Sequence, residues 1–519
     1  MFSKKQTRRG GLVAETSSDT PASEVNDGLS ESETPKNTLS GKSGEGFFGA
    51  VLSSAVEDEM PGLQDKQIDI EVESKGQKRN LIISLTWPSL AENILASLAS
   101  MVDMMMVSIL GDYAVAAVGL IVQPKFILVA VFMAMNIGTT ALVAQNKGAR
   151  NPEGANSALN QALILTIVMT VIIGAAMLVL AEPLVRLLAA GGLSENIITE
   201  ALIYYRIQIY GLPAISLTFT INAALRGAGN TRATFYNNTV ANLANVVLNY
   251  CLIGGNFGFP QMGVAGASLA TILGQCVALI MAFYVAMSGK QYVRLFLRKL
   301  KDIDFSMMKR IMNIGVPSFV EQIIMRVGAL WFTTIVTALG DIPYTAHMIA
   351  MNIQMLSFTT GMAFGTAATT LVGQSLGRKR IDLAKVYTRM TQYLGLIVSI
   401  VIALLMFFFG RFVTGMYSKE MEIVALSADM LKIIAIVNPV MNARSVHASA
   451  LRGAGDAKFL AIVSFIGMVV VRPLTGLLLV NVFNMGLTGV WIALSSDFVT
   501  SFFITLFRYR QGKWTNIVI

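Results

Sequence analysis

Two halves of this 519-residue chain repeat one another, and that repeat restricts the fold more than any other feature. Leu225-Arg226-Gly227-Ala228-Gly229 recurs as Leu451-Arg452-Gly453-Ala454-Gly455. Pro88 to Glu92 is echoed by Pro317 to Glu321, Leu110-Gly111-Asp112 by Leu339-Gly340-Asp341, and Leu142 to Gly148 by Leu371 to Gly377, all at an offset of 229. The LRGAG pair is offset by 226, and Met262-Gly263 against Met485-Gly486 by 223. An offset that drifts slowly is the trace of a duplicated unit with small loop deletions. In a membrane protein, two such halves point to a pathway between them.

Composition places the chain in a membrane. Hydrophobic residues make up 54% and charged residues 14%, against roughly a quarter charged in soluble domains. The first eighty residues hold 24 of the 71 charges, so the remainder is more apolar still. Segment 1–77 has no sustained apolar period and is rich in Ser, Thr, Gly, Glu and Asp; it predicts a disordered cytoplasmic tail. Acids follow its basic start from Glu15 onward, and no apolar core follows, which argues against a transit or cleaved signal peptide. Cys251 and Cys276 both lie in apolar runs, so neither a disulfide framework nor a zinc spacing is present. The net charge of +9 is spread in short clusters between apolar stretches, which suits anionic lipid headgroups and not nucleic acid.

A bilayer core takes roughly 20 apolar residues per helix. Runs of that size are expected at 81–110, 114–145, 157–187, 197–224, 231–254 and 263–287, then at 309–339, 343–373, 386–412, 423–450, 456–480 and 487–507. The class is an all-α polytopic membrane protein with twelve transmembrane helices, six per half. Basic residues mark alternate loops: Lys75, Lys78 and Arg79; Lys147 and Arg150; Arg226 and Arg232; Arg378, Lys379 and Arg380; Arg452 and Lys458; Arg508, Arg510 and Lys513. The segment joining the halves carries Lys290, Arg294, Arg298, Lys299, Lys301, Lys309 and Arg310. Positive loops stay inside, so both termini are expected in the cytoplasm, and six helices per half make the repeats parallel. The organisation expected is a tail at 1–77, an N-lobe at 78–288, a basic linker at 289–308, a C-lobe at 309–508 and a cytoplasmic C-terminal tail at 509–519.

With Met101-Val102-Asp103 in the early proline helix, the two LRGAG turns, the run Ala244 to Tyr250 and the run Gly263 to Thr271, the chain resembles the multidrug and toxic compound extrusion (MATE) family of the MOP flippase superfamily. The resemblance covers about 430 of the 519 residues. It implies two six-helix lobes around a central cleft. It also implies export of organic, often cationic compounds by antiport with Na⁺ or H⁺.

A charged side chain inside a bilayer is costly and is a functional candidate by default. Asp103 lies about seven residues, roughly 10 Å at the helical rise, from the outer end of the first helix. Asn249 and Thr271 fall at similar depth in the fifth and sixth helices, with Asn245 one turn from Asn249. One carboxylate with amide and hydroxyl oxygens is a hard ligand set for Na⁺, or a place for a carboxyl that binds and releases a proton. The same four positions match the family's N-lobe cation site. Structural hydrogen bonding between helices is the competing account of the asparagines.

Glu321, near mid-membrane in the seventh helix, is a second proton-coupling candidate, and its place resembles the helix-7 acid of several family branches. Its counterpart Glu92 shares a helix face with Asp103, so Glu92 is either a pathway residue or a capped structural acid. Arg472 and Asp497 are expected to form a structural ion pair. Some branches carry a helix-10 acid just before the second LRGAG; the stretch Asn438 to Met441 has none, which weakens a C-lobe Na⁺ site. His347 and His447 are expected to pack helices. Pro88 with Pro317, and Pro213 with Pro439, are candidate bend points.

Two distant histidines, with no HExxH or GxSxG pattern, argue against an enzyme. The closer alternative is a lipid or lipid-linked oligosaccharide flippase of related architecture, which needs a cationic cavity; Arg206, Arg326 and Arg444 would supply it. No cofactor is expected beyond the coupling ion, and no metal beyond Na⁺. The partners expected are small organic molecules and membrane lipids, for a monomer in the plasma (inner) membrane of a bacterium.

Overall fold

The computed structural model describes residues 74–189, 193–296 and 302–517. The expected tail up to residue 73, and linker residues 297–301, lie outside the described residues. All described residues belong to one unit, Gln64–Ile519.

Twelve spans run α1 Lys75–Ser108, α2 Asp112–Gly148, α3 Pro152–Leu188, α4 Glu195–Tyr210 with Leu212–Gly227, α5 Thr231–Gly254 and α6 Gly263–Met287. The second half gives α7 Phe305–Thr337, α8 Asp341–Gly377, α9 Ile381–Gly415, α10 Met421–Gly453, α11 Ala457–Val482 and α12 Gly486–Gln511. Among the described residues, nine of these are long and apolar enough to cross a membrane by length and composition. The other three are α4, which is broken, and α5 and α8, which carry Asn, Gln and Thr inside the bundle. Large apolar side chains such as Val171, Val179, Phe408 and Phe412 point outward and exposed, the arrangement a hydrocarbon surround favours.

Local chemistry sets the helix ends. Ser74 caps α1 reciprocally with Gln77, the two bonds measuring 2.6 and 3.3 Å, so α1 begins inside the segment read as tail. Asn151, Asn230 and Asp304 cap α3, α5 and α7 through their side-chain oxygens. At the far end of the chain, Trp514 is fully buried and donates to the Tyr509 carbonyl at 2.8 Å.

Two elements depart from simple helices. Continuous helix is expected at 197–224, but the chain turns at Gly211, whose added Cβ would overlap Ile272. Pro213 therefore sits in the first turn of a new helix, where its missing N–H costs nothing, while Pro88, Pro317 and Pro439 stay inside unbroken helices. α11 carries two π segments, Ile466–Val471 and Leu478–Val482, on either side of Arg472.

The same pairs of spans pack in each half: α1 on α5 as α7 on α11, α2 on α4 as α8 on α10, and α4 on α6 as α10 on α12. The LRGAG turns explain their own recurrence. Gly229 and Gly455 have φ of +84° and +87°, a left-handed conformation that favours glycine. Gly227 and Gly453 lie against the carbonyls of Thr140 and Thr369, where any side chain would collide.

The halves meet through α2, α7 and α8, and through α1 on α8. At the end of the bundle bearing the basic loops they are clasped reciprocally. Gln145 of α2 donates to the Gly453 carbonyl at 3.1 Å, and Gln374 of α8 donates to the Gly227 carbonyl at 3.2 Å. Gly148 lies against the Gln374 backbone, and Gly377 against that of Gln145. Each half thus holds the LRGAG turn of the other.

Candidate ion and substrate site

In the first half, α1, α5 and α6 bring together the four residues singled out near the outer ends of their helices. Asn249, 1% exposed, donates its amide to Asp103 Oδ1, while its own Oδ1 is buried without a partner. Asn245 can be set two ways, since its amide oxygen and nitrogen exchange by a half-turn. In one, its nitrogen donates to Thr271 Oγ1 at 3.4 Å and its oxygen faces the Asp103 carboxylate. In the other, its nitrogen donates to both Asp103 oxygens at 2.7 and 3.2 Å, and its oxygen accepts from the Thr271 N–H at 3.2 Å. A bare carboxylate requires the second. The first places oxygen against oxygen and is stable only with a proton or cation between them. The carboxylate, two amide oxygens and one hydroxyl together make a donor set that fits a hard cation. Lys125 of α2 is the cation whose field reaches Asp103.

Both glutamates of the repeat are fastened to their own LRGAG arginine. Glu92 accepts from Asn238 at 2.6 Å, Thr234 at 3.3 Å and Arg226 at 3.4 Å. Glu321 accepts from Arg452 at 2.6 Å and Ser464 at 3.2 Å, leaving Oε2 buried and unpartnered. The offsets that relate Glu92 to Glu321 and Arg226 to Arg452 also relate Asn238 to Ser464. Glu92 is thus held by its lobe, and no bond joins it to Asp103.

Arg472 Nη2 donates to Asp497 Oδ2 at 2.5 Å, with both side chains buried, and Ser501 donates to Asp497 Oδ1 at 3.0 Å. Arg206 lies at 3.8 Å from Glu182 on an exposed face, so it leaves the cationic set expected between the halves. Arg326 and Arg444 remain half-buried. His447 Nδ1 lies 2.8 Å from the Ala443 carbonyl, whereas His347 Nδ1 is buried without a partner and its ring meets Trp491 edge-on.

Sequence reasoning missed Lys125, although a lone lysine in the apolar Ala114 to Ala144 run carries the intramembrane signal. It also missed Arg226 and Arg452 as the partners of the glutamates; the shared offsets were the available clue.

The MatE family model matches residues 88–251 and 317–477, once in each half. The chain belongs to the MATE family of transporters. The match splits where the internal repeat splits, between α5 and α7. A probable multidrug resistance protein NorM of Thermotoga maritima is 30% identical over 440 residues, covering 84% of this chain and 93% of the relative. The uncharacterized transporter YisQ of Bacillus subtilis is 27% identical over 435 residues, covering 83% and 94%. Among solved structures, an outward-facing multidrug resistance MATE transporter superposes with a TM-score of 0.78 at 22% identity, covering 85% of this MATE chain and 97% of the other. A MOP superfamily transporter from Pyrococcus furiosus, described by a reversed polarity of its binding pocket, gives 0.78 at 21% identity over the same shares. Both likenesses concern the fold: twelve transmembrane helices in two repeats.

Proposed function

We propose that this MATE transporter exports organic compounds, cationic ones among them, in exchange for Na⁺ or H⁺ moving inward, by alternating access between the two lobes. The observation that supports it is the cluster of Asn245, Asn249 and Thr271 around the Asp103 carboxylate, with the orphaned Asn249 oxygen beside it. Loading a proton or Na⁺ there lets the Asn245 oxygen turn toward Asp103; unloading turns its nitrogen back. We assign coupling first to Asp103, with Asn245, Asn249 and Thr271 as its ligands. Glu321 stands second, because Arg452 already neutralises it. The basic end faces the cytoplasm in this reading, so the clasp between the halves closes the inner side. The protein works as a monomer in a bacterial plasma membrane.

Purified protein in liposomes, loaded with a cationic dye and given Na⁺ and H⁺ gradients separately, tests this. At least one gradient should drive dye movement, and Asp103→Asn should abolish the driven component while leaving the protein folded. Movement indifferent to both gradients defeats antiport. It is also the result expected of a passive lipid flippase. Full coupling in Asp103→Asn defeats the site.

A further inference from the structure

Counting charges in the interior of the spans leaves a remainder. Glu92, Glu321 and Asp497 each have their own arginine. Asp103 has amide partners. Lys125, Arg326 and Arg444 form no hydrogen bond or ion pair with any described residue. Arg444 is answered within its own lobe, because the carboxylates of Asp497 and Glu321 both act on it. Lys125 has one acid within electrostatic reach, Asp103, and Arg326 has none among the described residues.

Arg326 touches α2 at the residue beside Lys125. The Arg326 guanidinium of α7 lies 3.2 Å above the ring of Phe126, the residue next to Lys125 on α2. α2 and α7 belong to different lobes and pack on each other. Lys125 is 13 residues from the Asp112 end of α2, and Arg326 is 11 residues from the Thr337 end of α7. At the helical rise these are depths of about 20 and 16 Å, so both cations sit at nearly one level. Both are half-buried. Cations at such a level avoid lipid and face a cavity or the bundle interior. Stacking on Phe126 holds the guanidinium plane in place and leaves its N–H edge free to donate. A rigid fork beside a mobile ammonium is the donor pattern that suits a carboxylate or phosphate.

We propose that Lys125 and Arg326 form a recognition site for an anionic group, a carboxylate or phosphate, carried by the exported compound at the seam between the lobes. The proposal deepens the export reading and rests on it, but its test needs no gradient. Compounds bearing a negative group would bridge α2 and α7, and so bind best when the seam has its present geometry. Lys125 also stands within reach of Asp103's field, so the bound anion and the loaded cation are felt at one lysine.

The test uses two dyes that differ in one charge: rhodamine 110, with a free carboxylate, and its methyl ester rhodamine 123. Binding of each to the purified full chain in neutral detergent is read by fluorescence anisotropy. Rhodamine 110 should bind about tenfold more tightly, the scale of one charge-assisted contact. Lys125→Gln and Arg326→Gln should each weaken rhodamine 110 binding and together erase the preference, while rhodamine 123, itself a cation, should bind no more weakly than before. Arg326→Lys keeps the charge and should keep most of the preference, which covers the case in which Arg326→Gln fails to fold. Equal binding of the two dyes to the unmodified protein overturns the proposal, as does a preference that is undiminished in Lys125→Gln. Phthalate and dihexanoyl phosphatidate, added as competitors, separate a soluble carboxylate from a lipid headgroup as the source. Competition by either supports the site, and competition by neither overturns it. Asp103→Asn removes the carboxylate whose field reaches Lys125 and should hold or widen the dye preference, so a failed coupling site and a failed anion site give different results.

Discussion

The two lobes place different chemistry at matching positions. In the N-lobe, α1, α5 and α6 converge on Asp103, Asn245, Asn249 and Thr271. In the C-lobe the matching helices are α7, α11 and α12, and at the 229 offset Asp103 becomes Phe332. The guanidinium of Arg472 lies 5.4 Å from the Phe332 ring and 5.6 Å from that of Phe498, bonded to Asp497 of α12. One lobe presents a carboxylate ringed by neutral amide and hydroxyl groups. The other carries its cation on its own Arg472 side chain. The lesson is that a duplicated scaffold lets one copy keep a lone carboxylate among neutral groups while the other fills the matching region with a tethered charge pair.

Breaking the tethered pair should give the largest effect. Arg472→Gln leaves Asp497 buried and unpaired, a loss of about 3–5 kcal/mol, seen as a large fall in thermal unfolding temperature in detergent. Arg472→Met with Asp497→Leu should recover most of it. An unchanged unfolding temperature in the single variant would mean that the pair holds nothing together. Next comes the close approach between halves. Gly148→Ala pushes a methyl into the Gln374 backbone and should cost about 1–3 kcal/mol. Gly174→Ala, with nothing within 4 Å, should cost nothing and serves as its control. The smallest effect sharpens the comparison of the glutamates. Glu321 is 3% exposed and Glu92 14%, so Glu321→Gln should destabilise more than Glu92→Gln by about 1 kcal/mol. A reversed order would show that burial does not set the strength of these pairs.

Much of this molecule was legible in its residues. Apolar runs of bilayer length gave all twelve spans, α6 to the residue, because a helix that must cross hydrocarbon has its length set by the solvent. That Asp103, Asn245, Asn249 and Thr271 cluster was legible for a related reason: polar groups at one depth on neighbouring spans meet each other in preference to lipid. The break at Gly211 was hidden because it answers to the side chain of Ile272, sixty-one positions away. The π segments around Arg472 were hidden because no residue type signals an extra residue per turn. The Glu92–Arg226 and Glu321–Arg452 pairs span more than 130 positions each, and periodicity within one helix carries no information at that range. Lys125 was hidden because a single lysine next to Pro124 and Phe126 carries no partner at helical spacing in its own span.

The reciprocal clasp has a consequence for how such a chain can change over generations. Gln145 reads the turn of the second copy and Gln374 the turn of the first. A substitution in either turn is therefore felt by both copies, and neither can drift alone. That end of the chain still spells LRGAG twice. The opposite end, where Asp103 faces its alternative Phe332, has no such mutual proofreading. There the two copies differ, with Asp103 among amides in one and Phe332 beside Arg472 in the other.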